Sequence, residues 1–208
     1  MLVMKTLGLL FGSEARVKVM RLFLFNPETY FDIGMICQKS KVNQKNVKRE
    51  ILTLEKANLI KKRSFFKAIK KKKRGKMVEI KKRTKGYYLN SSFSYLTSLK
   101  QLLMSTKTFE DEKIVRSLSR AGKLKFITVA GVFIQDKDSR LDMLIVGNNV
   151  NKTALSNAIK QIEAELGSEI VYAYFENPDF EYRLSMNDKL VRDVLDYPHK
   201  VLLDRSPS

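Results

Sequence analysis

The chain has 208 residues and a formal net charge of +18, with 40 Lys or Arg and 22 Asp or Glu. Residues 1–100 hold 25 basic and 6 acidic side chains, whereas the remaining residues hold 15 and 16. The single cysteine, Cys37, excludes an intrachain disulfide and a cysteine-based metal cluster, and no apolar run is long enough to span a bilayer. These features favour a cytoplasmic protein with no membrane partner, built as two small domains of which one binds a polyanion.

Three helices are predicted before residue 60. Ser13 is a good N-cap for the first helix, which ends before Pro27. The second helix covers the sequence IGMICQKSKV, and the third runs from the N-cap Asn43 to Leu59. Apolar residues at helical spacing predict the buried face of the third helix, and they are Val47, Ile51, Leu54 and Ala57.

A strongly basic segment follows the third helix. From Lys61 to Lys85 it contains fourteen Lys or Arg and a single acid, Glu79. Two β-like arms, IKKRSFFKA and KMVEIKKR, surround the tip KKKKRGK, so the pattern predicts a β-hairpin that carries dense positive charge. Phe65 and Phe66 could stack on bases, as in single-strand and RNA binders, but we expect one of them to cover the inner face of the hairpin.

The order of helix, tight turn, helix and basic hairpin resembles a winged helix-turn-helix DNA-binding domain. The resemblance implies a DNA-binding domain over residues 1–98, with Asn43–Leu59 as the recognition helix and the hairpin as the wing. In a major groove, Gln44 and Asn46 would pair with adenine and Arg49 with guanine, while the lysines would contact phosphates. The predicted DNA-binding residues are Gln44, Lys45, Asn46, Lys48, Arg49, Thr53, Lys61, Lys62, Arg63, Lys70, Lys71, Lys72, Lys73, Arg74, Lys76, Lys81, Lys82 and Arg83.

A purely structural explanation of the polar residues on the third helix is the alternative. Any single polar residue of the third helix could belong to an ordinary solvated face. The coincidence of a basic helix face and a basic hairpin, in the expected order, favours DNA binding for the module as a whole. One departure from the family is the turn SKVN, which lacks the glycine often found between the two helices.

The second half of the chain predicts a helical linker over residues 99–122 and a strand–strand–helix–strand domain over residues 123–208. Gly122 is the expected C-cap of the linker helix, and Thr153 is the expected N-cap of the helix between the second and third strands. The chain as a whole is therefore predicted to be α+β, with an N-terminal winged helix-turn-helix and a small C-terminal α/β domain.

Gly131 and Val132, followed by a turn and the sequence SRLDMLIVG, resemble a minimal nucleotidyltransferase domain of the polymerase-β type. That family has a Gly-Ser pair, an Asp-x-Asp pair and a third acid, and its carboxylates hold two magnesium ions. Here the serine position is Val132, the first aspartate position is Arg140, and only Asp142 remains. The degenerate motif at Gly131, Arg140 and Asp142 predicts a domain with no catalytic residues, no metal and no cofactor, in which Asp142 is structural.

The sequence thus favours a transcriptional regulator that binds double-stranded DNA as a homodimer, because one recognition helix and one wing read few base pairs. The nucleotidyltransferase-like domain would serve dimerisation or sensing, and whether it holds a nucleotide ligand stays open. The alternatives are an active nucleotidyltransferase of the antitoxin type with a DNA-binding domain, and an RNA-binding protein.

Overall fold

The computed structural model describes residues 2–73, 76–104, 111–136 and 138–205, with the backbone alone described for residues 2, 3, 70–73 and 76–78. The chain is mixed α+β, as predicted, and it divides into two compact units. Residues 7–104 form the N-terminal unit, and residues 105–208 with residues 1–6 form the C-terminal unit. In the parts of the chain that the structure describes, no helix is long and apolar enough to cross a membrane.

Short polar side chains begin the helices of the N-terminal unit. Ser13 accepts a hydrogen bond from the Arg16 amide (3.0 Å), and Asn43 accepts one from the Asn46 amide (2.9 Å), which confirms both predicted N-caps. Asp32 caps the intervening helix in the same way. The helices of the first 104 residues are α1 (Leu2–Phe11), α2 (Glu14–Phe25), α3 (Ile33–Ser40), α4 (Gln44–Lys56) and α5 (Leu96–Met104).

Two turns of the N-terminal unit place a residue other than glycine in the left-handed backbone conformation. Between α3 and α4, Lys41 adopts the left-handed conformation (φ 54°), so a lysine occupies the conformation that glycine commonly supplies. The end of α4 was predicted wrongly: the helix stops at Lys56, because Asn58 is also left-handed (φ 60°) and the Leu59 amide turns back to the Leu54 carbonyl (3.0 Å). Ala57 is consequently exposed, although the helical spacing predicted that it is buried.

Strands β1 (Ile60–Lys73) and β2 (Lys76–Leu89) form the predicted hairpin, called the basic hairpin below. They pair antiparallel without a register shift, from Ile60 opposite Leu89 to Lys73 opposite Lys76. With 14 residues in each strand, the hairpin is about 45 Å long. Phe31 pairs with Tyr87 through two backbone hydrogen bonds of 2.9 Å, which joins the base of the hairpin to the chain before α3.

The core of the N-terminal unit lies between the helices and the base of the basic hairpin. Phe31 and Phe23 meet edge to face with ring centroids 5.5 Å apart. Arg21 is buried, and its Nε donates to the Leu103 carbonyl (3.0 Å), which satisfies one of the carbonyls left open at the end of α5. The other large buried side chains include Val17, Met20, Leu24, Ile36, Val47, Ile51, Leu54, Leu59, Ile60 and Leu89.

The C-terminal unit contains a four-stranded sheet with the order β5-β4-β3-β6, in which β4 and β5 are parallel and the other pairs are antiparallel. Strand β4 is the most buried, since Met143 to Gly147 are all buried. The edge strand β6 was not predicted. The elements are α6 (Asp111–Ser119), β3 (Lys123–Val129), β4 (Met143–Asn148), α7 (Lys152–Leu166), β5 (Tyr172–Glu176), α8 (Asn177–Ser185), α9 (Lys189–Leu195) and β6 (Lys200–Asp204).

Two predicted caps of this unit were wrong. Helix α7 is capped by Asn151, whose side chain accepts the Ala154 amide (3.0 Å), and Thr153 lies inside the helix. Helix α6 ends at Ser119, before Gly122. Gly122 is instead a point of close approach, because a Cβ there would lie 2.9 Å from the Val150 Cα.

Candidate nucleic-acid interface

The exposed side of α4 is basic and polar. Gln44, Lys45, Lys48 and Arg49 are exposed, and Asn46 is half-buried. Thr53 is also half-buried, and its hydroxyl donates to the Arg49 carbonyl (3.2 Å) within the helix. The structure therefore brings four of the predicted α4 residues together on one accessible helix surface, and they are Gln44, Lys45, Lys48 and Arg49. The Thr53 hydroxyl instead donates its hydrogen bond to the backbone of the same helix.

Glu50 is a buried acidic residue of α4 that pairs with Arg49 of this surface. Its side chain is 0% exposed and accepts hydrogen bonds from the Ser13 hydroxyl (3.0 Å), from Arg16 Nε (2.7 Å) and from Arg49 Nη2 (3.0 Å). Burial alone would raise the pKa of the Glu50 carboxyl, but the hydrogen bonds from Arg16, Arg49 and Ser13 outweigh it and lower the pKa below its ordinary value. Arg49, the predicted guanine reader, is thus held against a neighbouring carboxylate.

The basic hairpin has two faces, because successive side chains of a strand point to opposite sides. We call the face that carries buried Ile60 and Leu89, next to the core, the helix-side face. We call the opposite face, on which Phe65 packs on Tyr30, the tyrosine-side face. The outward residues of the helix-side face are Lys62, Ser64, Phe66 and Ala68, opposite Tyr87, Lys85, Arg83 and Lys81.

Aromatic packing and one ion pair anchor the tyrosine-side face. The Tyr30 ring stacks on Phe65 (centroids 5.7 Å apart, planes at 23°) and contacts Tyr88 (5.2 Å). A side chain in place of Gly86 would collide with the Phe65 ring, so glycine makes room for this packing. Lys67 Nζ lies 2.7 Å from Asp32 Oδ2; despite burial, this contact lowers the pKa of the Asp32 carboxyl. Phe65 is therefore the aromatic residue that covers the hairpin, as one of the pair was predicted to do.

The remaining predicted residues of the basic hairpin are accessible where their side chains are described. Exposed cations occur on both faces, and the predicted ones are Lys61, Lys62, Arg63, Lys81, Lys82 and Arg83. Only the backbone is described for the strand residues Lys70, Lys71, Lys72, Lys73 and Lys76, and Arg74 lies outside the described residues.

Two exposed residues of this surface, Leu52 and Lys85, are outside the predicted set, and Phe66 was named only as a possible base-stacking residue. Leu52 is 59% exposed and lies three and four positions from Arg49 and Lys48 on the basic side of α4. Phe66 is 70% exposed on the helix-side face, and Lys85 is exposed on the same face. The helical spacing that places Ile51 and Leu54 inside would have placed Leu52 outside, and strict strand alternation would have separated Phe66 from Phe65.

Two of the positions that resemble a nucleotidyltransferase motif, Gly131 and Asp142, belong to a hydrogen-bonded junction in the C-terminal unit. Asp142 Oδ1 accepts the Val132 amide and Asp142 Oδ2 accepts the Val171 amide, each at 2.8 Å. Gly131 has φ 51°, and a side chain there would collide with the Asp142 carboxylate. Arg140 is exposed and pairs with Asp193 (2.9 Å). Both carboxylate oxygens of Asp142 thus join the turn after β3 to the segment before β5, in the structural role that the sequence predicted.

Among the described residues, no group of three or more His, Cys, Asp or Glu side chains is arranged to hold a metal ion. Comparison with protein-family models, with curated proteins and with solved structures finds no match.

Replacing Glu50 by Gln tests the buried network. Because the folded-state pKa of Glu50 is lowered, its stabilising contribution is fully present above its ordinary value of 4.5 and is lost as the pH falls through the lower folded value. We expect Glu50→Gln to lower the free energy of unfolding at pH 7 by about 1–3 kcal/mol and to make the acid-induced loss of stability shallower. Urea unfolding followed by circular dichroism between pH 7 and pH 3 measures both effects.

Glu55→Gln on the same helix is the matched control and should change neither quantity. Asp32 also has a lowered pKa, so some acid sensitivity should persist in Glu50→Gln. A Glu50→Gln protein with the wild-type pH profile would contradict the assigned network.

Replacing Asp142 by Asn tests the junction in the C-terminal unit. The substitution puts an NH2 group against one of two backbone amides, so we expect the free energy of unfolding to fall by about 1–3 kcal/mol. Gly131→Ala should also destabilise the protein, because its methyl group displaces the carboxylate. Asp138→Asn, at an exposed position, is the control. A Mg²⁺-dependent rise in the unfolding midpoint that Asp142→Asn abolishes would instead indicate a metal ligand.

Proposed function

We propose that this protein is a transcriptional regulator that binds double-stranded DNA through its N-terminal unit, as a winged helix-turn-helix with α4 as recognition helix and the basic hairpin as wing. The observation that carries the proposal is the occurrence of the exposed basic side of α4 and the exposed cations of the basic hairpin in one compact unit. Neutralising phosphates with such cations releases counterions and supplies most of the affinity.

The recognition helix would read sequence near its N-terminal end. An α-helix fits the major groove of B-DNA, and the first residues of a recognition helix contact base edges. Gln44 is exposed at the start of α4, with Lys45 and Lys48 beside it. Gln44 is therefore the best-placed adenine reader, whereas Arg49 can contact guanine only by loosening its hydrogen bonds to Glu50.

The C-terminal unit would act without catalysis, as a nucleotidyltransferase-like domain for homodimerisation or sensing in the cytoplasm. Support comes from Asp142, whose two oxygens both accept backbone amides, and from Arg140, which pairs with Asp193 and stands where the resemblance expects the first metal-binding aspartate. A homodimer would match a palindromic operator, because two-fold symmetry in the protein pairs with two half-sites in the DNA.

Fluorescence anisotropy with full-length protein tests the proposal. The probes are the duplex upstream of the protein's own gene, a scrambled duplex of equal length and an RNA duplex of matched sequence, each across a series of salt concentrations. We expect the native DNA duplex to remain bound at salt concentrations that release the other two probes. Equal, steeply salt-dependent binding to all three would contradict a sequence-specific regulator, and preferential binding to RNA would favour the RNA-binding alternative.

Two variants separate affinity from sequence discrimination. Gln44→Ala should reduce the preference for the native over the scrambled duplex by about 1–3 kcal/mol, with little change in salt dependence. The double variant Lys62→Gln, Lys81→Gln should weaken binding to both duplexes alike and lower the slope of log K against log salt by about 1.8, or about 0.9 for each lost phosphate contact. The same loss of discrimination from both variants would contradict the assignment of α4 as recognition helix.

A further inference from the structure

Phe66 is an aromatic side chain that the N-terminal unit leaves uncovered. It is 70% exposed, whereas its neighbour Phe65 is half-buried on Tyr30. Two positions away on the same strand and face lie Ser64 and Ala68, which are both small. The Phe66 ring therefore stands above its neighbours on β1, and the packing of the hairpin base gives it no role.

Exposed cations lie near this ring. Phe66 lies directly opposite Arg83, and the pairs on either side place Lys85 and Lys81 diagonally across the hairpin. Lys62 lies four residues before Phe66 on the same face, a distance of about 13 Å along the strand. All four cations are exposed, so charges that attract phosphates lie on the facing strand beside the ring and on β1 nearer the base of the hairpin.

The position of Phe66 also relates it to α4. Strand alternation puts Phe66 on the helix-side face, whose base is formed by buried Ile60 and Leu89. Helix α4 leads directly into this base, because the Leu59 amide bonds to the Leu54 carbonyl and β1 begins at Ile60. The exposed part of the helix-side face is thus an outward continuation of the face that carries buried Ile60 and Leu89.

We propose that Phe66 enters the minor groove of the bound duplex as a wedge between two base pairs, while Lys62, Lys81, Arg83 and Lys85 hold the flanking phosphates. The inference rests on the proposed function, because it takes duplex DNA as the ligand. Apolar wedges of this kind partly unstack a base step and bend the duplex. Among the described residues of this face Phe66 is the one exposed aromatic, which suits a single wedge better than the row of stacked bases in a single-strand platform.

A wedge adds a second source of sequence preference. Pyrimidine–purine steps such as TA and CA unstack most easily, so they lower the free-energy cost of insertion. The protein should therefore prefer operators with a flexible step beneath the basic hairpin, in addition to the bases that α4 reads. This preference requires no hydrogen bond between the hairpin and a base.

The test uses full-length protein and 30-base-pair duplexes of the native upstream sequence, end-labelled for energy transfer and carrying 2-aminopurine at successive positions. The wild type should raise 2-aminopurine fluorescence at one step and shorten the end-to-end distance. Phe66→Ala should abolish both signals and weaken binding roughly tenfold, within the range of aromatic–base stacking, without changing the salt slope. Phe66→Leu should retain part of the bend, because leucine also acts as a wedge.

Two variants of the same hairpin are controls. Ile80→Ala removes an apolar side chain that is 39% exposed on the tyrosine-side face, and it should leave affinity and bending unchanged. Arg83→Gln removes a cation beside the ring and should lower the salt slope by about 0.9. Thermal unfolding of Phe66→Ala should match the wild type, since the side chain is mostly exposed.

The outcomes separate this inference from the proposed function. Equal duplex affinity and bending for the wild type and Phe66→Ala would overturn the wedge and leave the DNA-binding function standing. The labelled single strand of the same sequence is measured in parallel, and an effect of Phe66→Ala confined to that single strand would also overturn the wedge. A wild type that shows no preference for duplex DNA would defeat the proposed function, and the wedge with it.

Discussion

A buried carboxylate cannot remain unpaired, because removing a charge from water costs several kcal/mol unless hydrogen bonds compensate. Glu50 meets this constraint with three partners, of which Ser13 and Arg16 lie at the start of α2 and Arg49 lies on α4. One side chain therefore links the first turn of α2 to the middle of α4. The direction in which α4 presents Gln44 and its lysines is set by this link together with the apolar packing beneath it.

In the basic hairpin the main electrostatic cost is repulsion, since paired strands bring like charges together. Lys67 lies directly opposite Lys82, and such cross-strand pairs destabilise a sheet. The base offsets the repulsion with the Phe31–Tyr87 pairing, the Tyr30–Phe65 stack and the Lys67–Asp32 ion pair.

Local sequence patterns, namely cap residues, helical spacing and the two basic arms, were sufficient to predict the hairpin, the caps Ser13 and Asn43, and the basic side of α4. Helical spacing alone was less reliable. It failed where one residue adopts an unusual conformation: left-handed Asn58 ends α4 early and exposes Ala57. It also gave no sign that Arg49 is tied to Glu50, because burial of that carboxylate depends on α2. Likewise, which of the two adjacent phenylalanines is covered depends on Tyr30, which is distant in sequence.

The C-terminal unit shows why a short sequence resemblance is weak evidence for chemistry. Asp142 uses both carboxylate oxygens to receive backbone amides from Val132 and Val171, and Gly131 leaves the space that this carboxylate occupies. The fold therefore requires a small residue and an acceptor at these two positions whether or not a metal ever binds. Their presence is explained by the junction, and a catalytic interpretation would need a second carboxylate where Arg140 instead pairs with Asp193.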